Sequence, residues 1–192
     1  MGLLISFKTS PHRVDWATLD ATWRLAGELG GWDGAWLNDH LTDMDPDVAG
    51  PSLEAFTLLA TLFHLVPGVR VGHAVLSNTF RHPVLLAKAA TVMDHATGGR
   101  FVVGLGAGWF DGEHEPFGIP LPPIGERIDR LVSAVEVLQA LFSPEAAQAP
   151  APGVSALVAG PAAAAGDVAE LSPRIDILAA ELRTTMALLG AR

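Results

Sequence analysis

The sequence predicts an α/β fold built on a parallel sheet, and three observations carry that prediction. Short apolar runs alternate with longer stretches of helical spacing up to about Phe142. Glycine or Pro-Gly pairs punctuate the changes, at Gly30-Gly31, Pro67-Gly68 and Gly98-Gly99. Four strand–helix units in a row imply parallel strands joined by right-handed crossovers.

Leu3–Lys8 reads as the first strand. A helix follows over Asp15–Leu29, with Trp16, Leu19, Trp23 and Ala26 at helical spacing, and Gly30-Gly31 stops it. Gly34–Leu37 is a second short strand. Leu53–Leu65 reads as a helix after Pro51-Ser52, with Phe56, Leu59, Ala60 and Phe63 on one face. Pro67-Gly68 turns the chain into a third strand, Val69–Val75. Pro83 suits the first turn of another helix, which runs to about His95 and ends at Thr97-Gly98-Gly99. The fourth strand, Phe101–Leu105, empties into a loop with glycines at 104, 106 and 108. Such glycines let the backbone turn sharply and let a flat ligand come close. Ile124, Ile128, Leu131, Val135, Leu138 and Phe142 then mark a long amphipathic helix.

Composition changes at Ser143. Residues 143–170 are rich in Ala, Pro and Gly and read as a linker, within which Val154–Ala159 could be a short strand. Ser172-Pro173 looks like a helix start. Ile175, Leu178, Leu182, Met186 and Leu189 give 171–192 one apolar stripe, closed by Gly190.

Hydrophobic residues make up 49% of the 192, enough for a sizeable core. No apolar run is long enough for a membrane span and no signal-peptide pattern is visible, so the chain reads as cytoplasmic. The net charge of −9 argues against nucleic acid as a partner. With no Cys there is no disulfide, thiolate metal site or Cys nucleophile, and with no Tyr a common general acid is missing.

Five segments, in order and spacing, resemble one family. They are KTSPH at 8–12, ELGGWDGAWLNDH at 28–40, RHPVLLAKAATVMDHATGGR at 81–100, GLGAGW at 104–109 and GIPLPPIGERIDRLVSAVEVLQALF at 118–142. Residues 1 to about 142 resemble the N-terminal half of a luciferase-like monooxygenase, in the F420-dependent oxidoreductase branch. The resemblance implies a (β/α)8 TIM-barrel-type fold, here truncated to about the first four βα units plus a linker and C-terminal helix. It implies hydride transfer with coenzyme F420, or monooxygenation with reduced FMN as the alternative, on a small organic substrate. RIDILAAELRTTMALLGAR at 174–192 weakly resembles the last helix of FMN-dependent α-hydroxy-acid dehydrogenases, another barrel family, so a rearranged or chimeric barrel is a further possibility. A partial barrel leaves strands one and four as open edges. The expectation is that the C-terminal helix covers the opening or that two chains pair as a homodimer. A catalytically inactive module that binds flavin weakly, or only dimerises, is the alternative to an enzyme.

The resemblance implies that His40, in the Asn38-Asp39-His40 segment, lies near the cofactor ring as the catalytic histidine, able to move a proton as hydride leaves or arrives. The plainer alternative is that Asp39 and His40 cap a loop. Thr9, Asp39, Val75, Leu76, Ser77, Gly106 and Gly108 are the further cofactor-binding candidates. A non-prolyl cis peptide is expected near Val75–Ser77, and Trp109 is expected to wall the substrate pocket. For Thr9 the alternative is a strand-end cap, and for Trp109 a buried Trp in a tight turn. Arg81 could meet a phosphate or carboxylate at a helix start, or stand in solvent. Asp43, Asp45, Asp47 and Glu54 match positions 1, 3, 5 and 12 of a calcium loop. Val48 stands where that loop needs Gly, which argues against it, and no metal site is expected. His73, His82, His95 and His114 lack metal-ligand spacing, and no GxSxG elbow supports a hydrolase.

Overall fold

The computed structural model describes residues 3–45 and 50–142. The linker over 143–170, the strand at Val154–Ala159 and the helix over 171–192 lie outside the described residues. Four parallel strands form the main sheet: β1 (Ser6–Thr9), β2 (Gly34–Leu37), β3 (Arg70–His73) and, after a short strand β4 (Leu76–Ser77), β5 (Phe101–Val102). Their order in the sheet is their order in the chain, and β1 and β5 are its outer strands. Strand β4 pairs in parallel with β6 (Leu105–Gly106). Helices α1 (Trp16–Leu29), α2 (Ala55–Leu62), α3 (Pro83–Thr97), the four-residue α4 (Asp111–His114) and α5 (Ile124–Leu141) complete the fold.

Helices α1, α2 and α3 begin where the sequence supplies a side-chain cap, whereas α5 follows Pro123 with none. The Asp15 carboxylate accepts from Thr18 N at 2.7 Å, and Glu54 accepts from Phe56 N and Thr57 N. At α3 the imidazole of His82 accepts from Val84 N, with Pro83 at the first helical position and Gly98 ending the helix in the left-handed region at φ +64°. Leu19, Trp23 and Ala26 of α1 are buried as predicted, but Trp16 is 45% exposed because it precedes the stripe that meets the sheet. Helix α2 starts two residues later than its spacing suggested, since Glu54 is its cap. Its buried stripe is Ala55, Leu58, Leu59 and Leu62. Phe56 and Phe63 sit half-buried beside that stripe and Ala60 faces out.

Alternation along the strands divides the side chains between two layers. Ala35, Leu37, Val71 and Phe101 join Leu59, Leu86, Met93, Leu131 and Leu138 in the core between sheet and helices. Trp36 lies on the opposite face, where its indole covers Gly34 and Gly72. A Cβ built on Gly34 would fall 2.5 Å from Trp36 Cζ2, and one on Gly72 would fall 2.2 Å from Val102 O.

The third and fourth strands are each interrupted, where the sequence suggested two continuous ones. The Ala74-Val75 peptide is cis, next to the position expected from the family resemblance, and separates β3 from β4. Beyond it pairing resumes through Leu76 N to Gly104 O and Asn78 N to Gly106 O, both 2.8 Å. Gly104 has no room for a side chain there, since a Cβ would lie 2.2 Å from His73 O.

His73 ends β3 inside the core, its Nε2 donating to Ala55 O at 3.1 Å and its ring stacked on Phe56. Burial lowers its pKa to about 4, with partial opposition from the Ala55 hydrogen bond and Asp39. An unfolded histidine titrates near 6.5, so this group's contribution is fully present above that pH and is lost as pH falls toward about 4. The expected loss is about 3 kcal/mol across that window. Urea midpoints at pH 7 and pH 4.5 check it: His73→Gln should flatten the dependence. An equally steep fall in the variant would assign the loss to other groups.

Candidate active site

The C-terminal ends of β2, β3 and β4 and the loops after them enclose a cleft of about 230 Å³. His40, Val75, Leu76, Ser77, Gly106, Gly108 and Trp109 line it together, with Lys8 on one side and Glu113 beneath His40. Val75 projects into the cleft and is half exposed, while Trp109 is 61% exposed. The glycines lining the cleft are spoken for by the protein itself. A Cβ on Gly106 would lie 2.7 Å from Val75 Cγ2, and one on Gly108, at φ +77°, 2.8 Å from Ser77 Oγ. These glycines therefore let loop pack on loop, and what they offer a ligand is backbone.

His40 Nδ1 lies 2.9 Å from Glu113 Oε1, and Leu41 N donates to the other oxygen at 2.8 Å. Glu113 is almost fully buried and, as a carboxylate, can only accept. A neutral His40 places its ring proton on Nδ1, toward Glu113, and its Nε2 makes no hydrogen bond among the described residues. The imidazole packs edge-on against His12, Trp109 and Phe110, with centroids 5.6, 6.0 and 6.4 Å away. Burial, and then repulsion from His40, lowers the pKa of His12.

Asp39 lines the cleft as well, and its carboxylate is engaged within the protein. Its side chain is 1% exposed. The carboxylate accepts Ser77 N at 2.8 Å and both terminal nitrogens of Arg81, at 2.5 and 2.8 Å. Arg81 also pairs with Glu54. It therefore meets carboxylates at its helix start, one of the two roles the sequence allowed. Burial pushes Glu54 upward, but hydrogen bonds from Thr57 and Arg81 outweigh it and bring the pKa to about 2. One network thus ties the loop after β2, strand β4 and the start of α2 together.

Thr9 does not line the cleft. Its hydroxyl accepts from Trp23 Nε1 at 3.0 Å, on the helix side of β1. Its neighbour Lys8 points the other way and reaches Ala74 O at 3.4 Å. Lys8 and Glu113 line the cleft and are residues that the sequence reading missed. Alternation about Phe7, which packs on Trp23, carries the signal for Lys8. His114 donates from Nδ1 to Phe110 O and accepts from Thr79, whose hydroxyl in turn meets Ser77 Oγ, each at 2.7 Å. Helix α4 is thus held on one side by Glu113 and on the other by His114.

A larger groove of about 610 Å³ lies between the start of α3 and α5. Its arginines are engaged: Arg81 as above, Arg130 with Glu126, and Arg127 with Gly108 O. Of the calcium pattern, Asp47 and Val48 lie outside the described residues, and Asp43 and Asp45 pair with Arg13. Among the described residues no group of three or more His, Asp or Glu side chains could hold a metal ion, and no helix is long and apolar enough to cross a membrane.

Comparison with known proteins adds relatives. The family described as luciferase-like monooxygenase matches residues 1–190, beyond the Phe142 at which the resemblance was read to end. An F420-dependent glucose-6-phosphate dehydrogenase of Beutenbergia cavernae is 31% identical over 144 residues, covering 74% of this chain and 42% of its own length. A solved F420-dependent secondary alcohol dehydrogenase, in complex with an F420-acetone adduct, superposes with TM-score 0.66 at 22% identity, over 76% of this chain and 43% of that one. The FMN complex of the oxygenating constituent of 3,6-diketocamphane monooxygenase, from Pseudomonas putida, superposes with TM-score 0.60 at 14% identity, over 74% and 40%. The chain spans about two-fifths of the length of these relatives. The superpositions agree with a barrel-type arrangement of the βα units.

Proposed function

Because the chain belongs to the luciferase-like monooxygenase family, we propose that it is an oxidoreductase of that class, exchanging hydride between a deazaflavin or flavin and a small organic substrate. The observation that carries this reading is the His40–Glu113 pair beside the open face of Val75. F420 is the cofactor we favour, because a relative 31% identical over 144 residues is F420-dependent by name; FMN is the alternative.

The residues fit a flat ring. Val75 offers an exposed apolar surface, Trp109 a wall, and the peptide groups around Gly106 and Gly108 a polar edge. Once bound, the ring supplies the hydride chemistry, and the protein supplies orientation and proton handling. His40 Nε2 takes a proton from a substrate hydroxyl as hydride departs, and returns it in the reverse direction. Glu113 holds the tautomer that leaves Nε2 basic and stabilises the imidazolium that forms. Asp39 and Arg81 act as positioning residues, fixing Ser77 and with it the stretch from Val75.

The test is a titration of purified chain, sized by light scattering, with oxidised F420 and with FMN, followed by tryptophan fluorescence. Saturable micromolar binding, tighter for F420, is expected. A folded protein that binds neither would overturn the reading and leave an inactive or assembly module.

A further inference from the structure

The loop from Gly106 to Trp109 is a partition between two cavities. Gly106, Gly108 and Trp109 line the cleft beside His40, while Ala107 lines the larger groove between α3 and α5. Trp109 is 61% exposed, and its ring meets those of His40 and Phe110 with centroids 6.0 and 5.4 Å away. Burial therefore does little to hold it, and its direction is set by its backbone.

That backbone has few ties. Before the loop, Gly106 O accepts from Asn78 N, and after it Phe110 O accepts from His114 Nδ1. Between them one hydrogen bond reaches the loop among the described residues: the Arg127 guanidinium donates to Gly108 O. Gly108 stands at φ +77°, in a region that glycine enters and leaves easily. A peptide is planar, so a donor that fixes Gly108 O also fixes the N–H and Cα of Trp109.

Arg127 is placed for this and for little else. Arg81 and Arg130 in the same groove pair with carboxylates. No carboxylate pairs with Arg127 among the described residues, and its buried Nε has no partner. A charged donor on a carbonyl is stronger than a neutral one. The residue lies in the first turn of α5, ahead of the buried stripe that begins at Leu131, so its loss leaves the packing of α5 on α3 in place.

We propose that Arg127 is a positioning residue, which from outside the cleft holds Trp109 beside His40 as a preformed wall for the ring. This rests on the oxidoreductase reading above. A side chain already in place spares a ligand the cost of ordering it, and that cost corresponds to about tenfold in affinity.

The experiment labels the full chain with 5-fluorotryptophan, giving a fluorine signal for each of its five tryptophans, and Trp109→Phe assigns the one that matters. Wild type, Arg127→Met and Arg127→Lys are compared by fluorine NMR, by urea midpoint, and by equilibrium dialysis against FMN and oxidised F420. Arg127→Met should move the Trp109 signal toward its position in the unfolded chain and leave the other signals and the urea midpoint unchanged. Cofactor affinity should fall by up to about tenfold. Arg127→Lys should recover most of both, since an ammonium still donates to Gly108 O. A Trp109 signal that stays put, or moves with no change in affinity, would overturn the proposal. So would shifts in all five signals with a lower urea midpoint, which would make Arg127 a support of the fold. Each of these leaves the oxidoreductase reading in place, whereas a wild-type chain that binds neither cofactor would sink both.

Discussion

Exchanging Asp39 for alanine is expected to remove about 3–5 kcal/mol of stability, the usual cost of leaving one member of a buried ion pair uncompensated. The carboxylate has three partners: Ser77 N, and the two terminal nitrogens of Arg81. Alanine would leave a buried N–H without an acceptor and a guanidinium held, among the described residues, only by Glu54. Asp39→Asn should cost less, because an amide oxygen still accepts from Ser77 N while the charge is gone. Urea denaturation of both variants, followed by circular dichroism, gives the ordering. A stability loss of less than about 1 kcal/mol for alanine would mean that water replaces the carboxylate and that the network is not a tie. Acid should act on the same network lower down. Glu54 is held near 2, so its contribution is present above about 4.5 and is lost as pH falls toward 2. That window lies below the one governed by His73.

The elements that declared themselves in the sequence are those whose period had room to repeat. α1, α3 and α5 show their apolar stripes over 14, 15 and 18 residues. β2 was readable to the residue, since Gly30-Gly31 and Asn38 bracket it. What failed has physical reasons. The cis peptide at Ala74-Val75 was anticipated near there by the family resemblance, but the separation of β3 from β4 was not, since composition shows one apolar run. Helix α4 has four residues, Asp-Gly-Glu-His, too few for any period to register. The importance of Glu113 depends on His40, 73 residues earlier in the chain, so it becomes visible only when the loops meet. Thr9 was a candidate through the resemblance, with a strand-end cap as the alternative; the two-residue alternation set by Phe7 places it on the helix side and Lys8 on the other. Asp39 lines the cleft, and what the sequence did not show is its partner there, Arg81, 42 residues further on.

His40→Asn is expected to lower turnover by about 10²–10⁴-fold, the usual contribution of a positioned general base, with little change in cofactor affinity. Glu113→Gln should approach the same loss by a different route. The wild-type carboxylate accepts twice, from His40 Nδ1 and from Leu41 N. A glutamine has one acceptor, and if its oxygen stays on Leu41 its amide N–H faces His40. The imidazole then turns its unprotonated nitrogen to the glutamine and carries its proton on Nε2, where it can no longer take one from a substrate. Nitrogen NMR of the histidine rings reads this tautomer directly and requires no substrate. Wild type should show His40 protonated at Nδ1, and Glu113→Gln should show it at Nε2. A wild-type ring already protonated at Nε2 at neutral pH would remove the base and leave the pair as a structural contact. Both variants should bind oxidised cofactor nearly as wild type does, because neither changes the Val75 face, and a parallel loss of binding and turnover would mark Glu113 as a support of the cleft rather than of its chemistry.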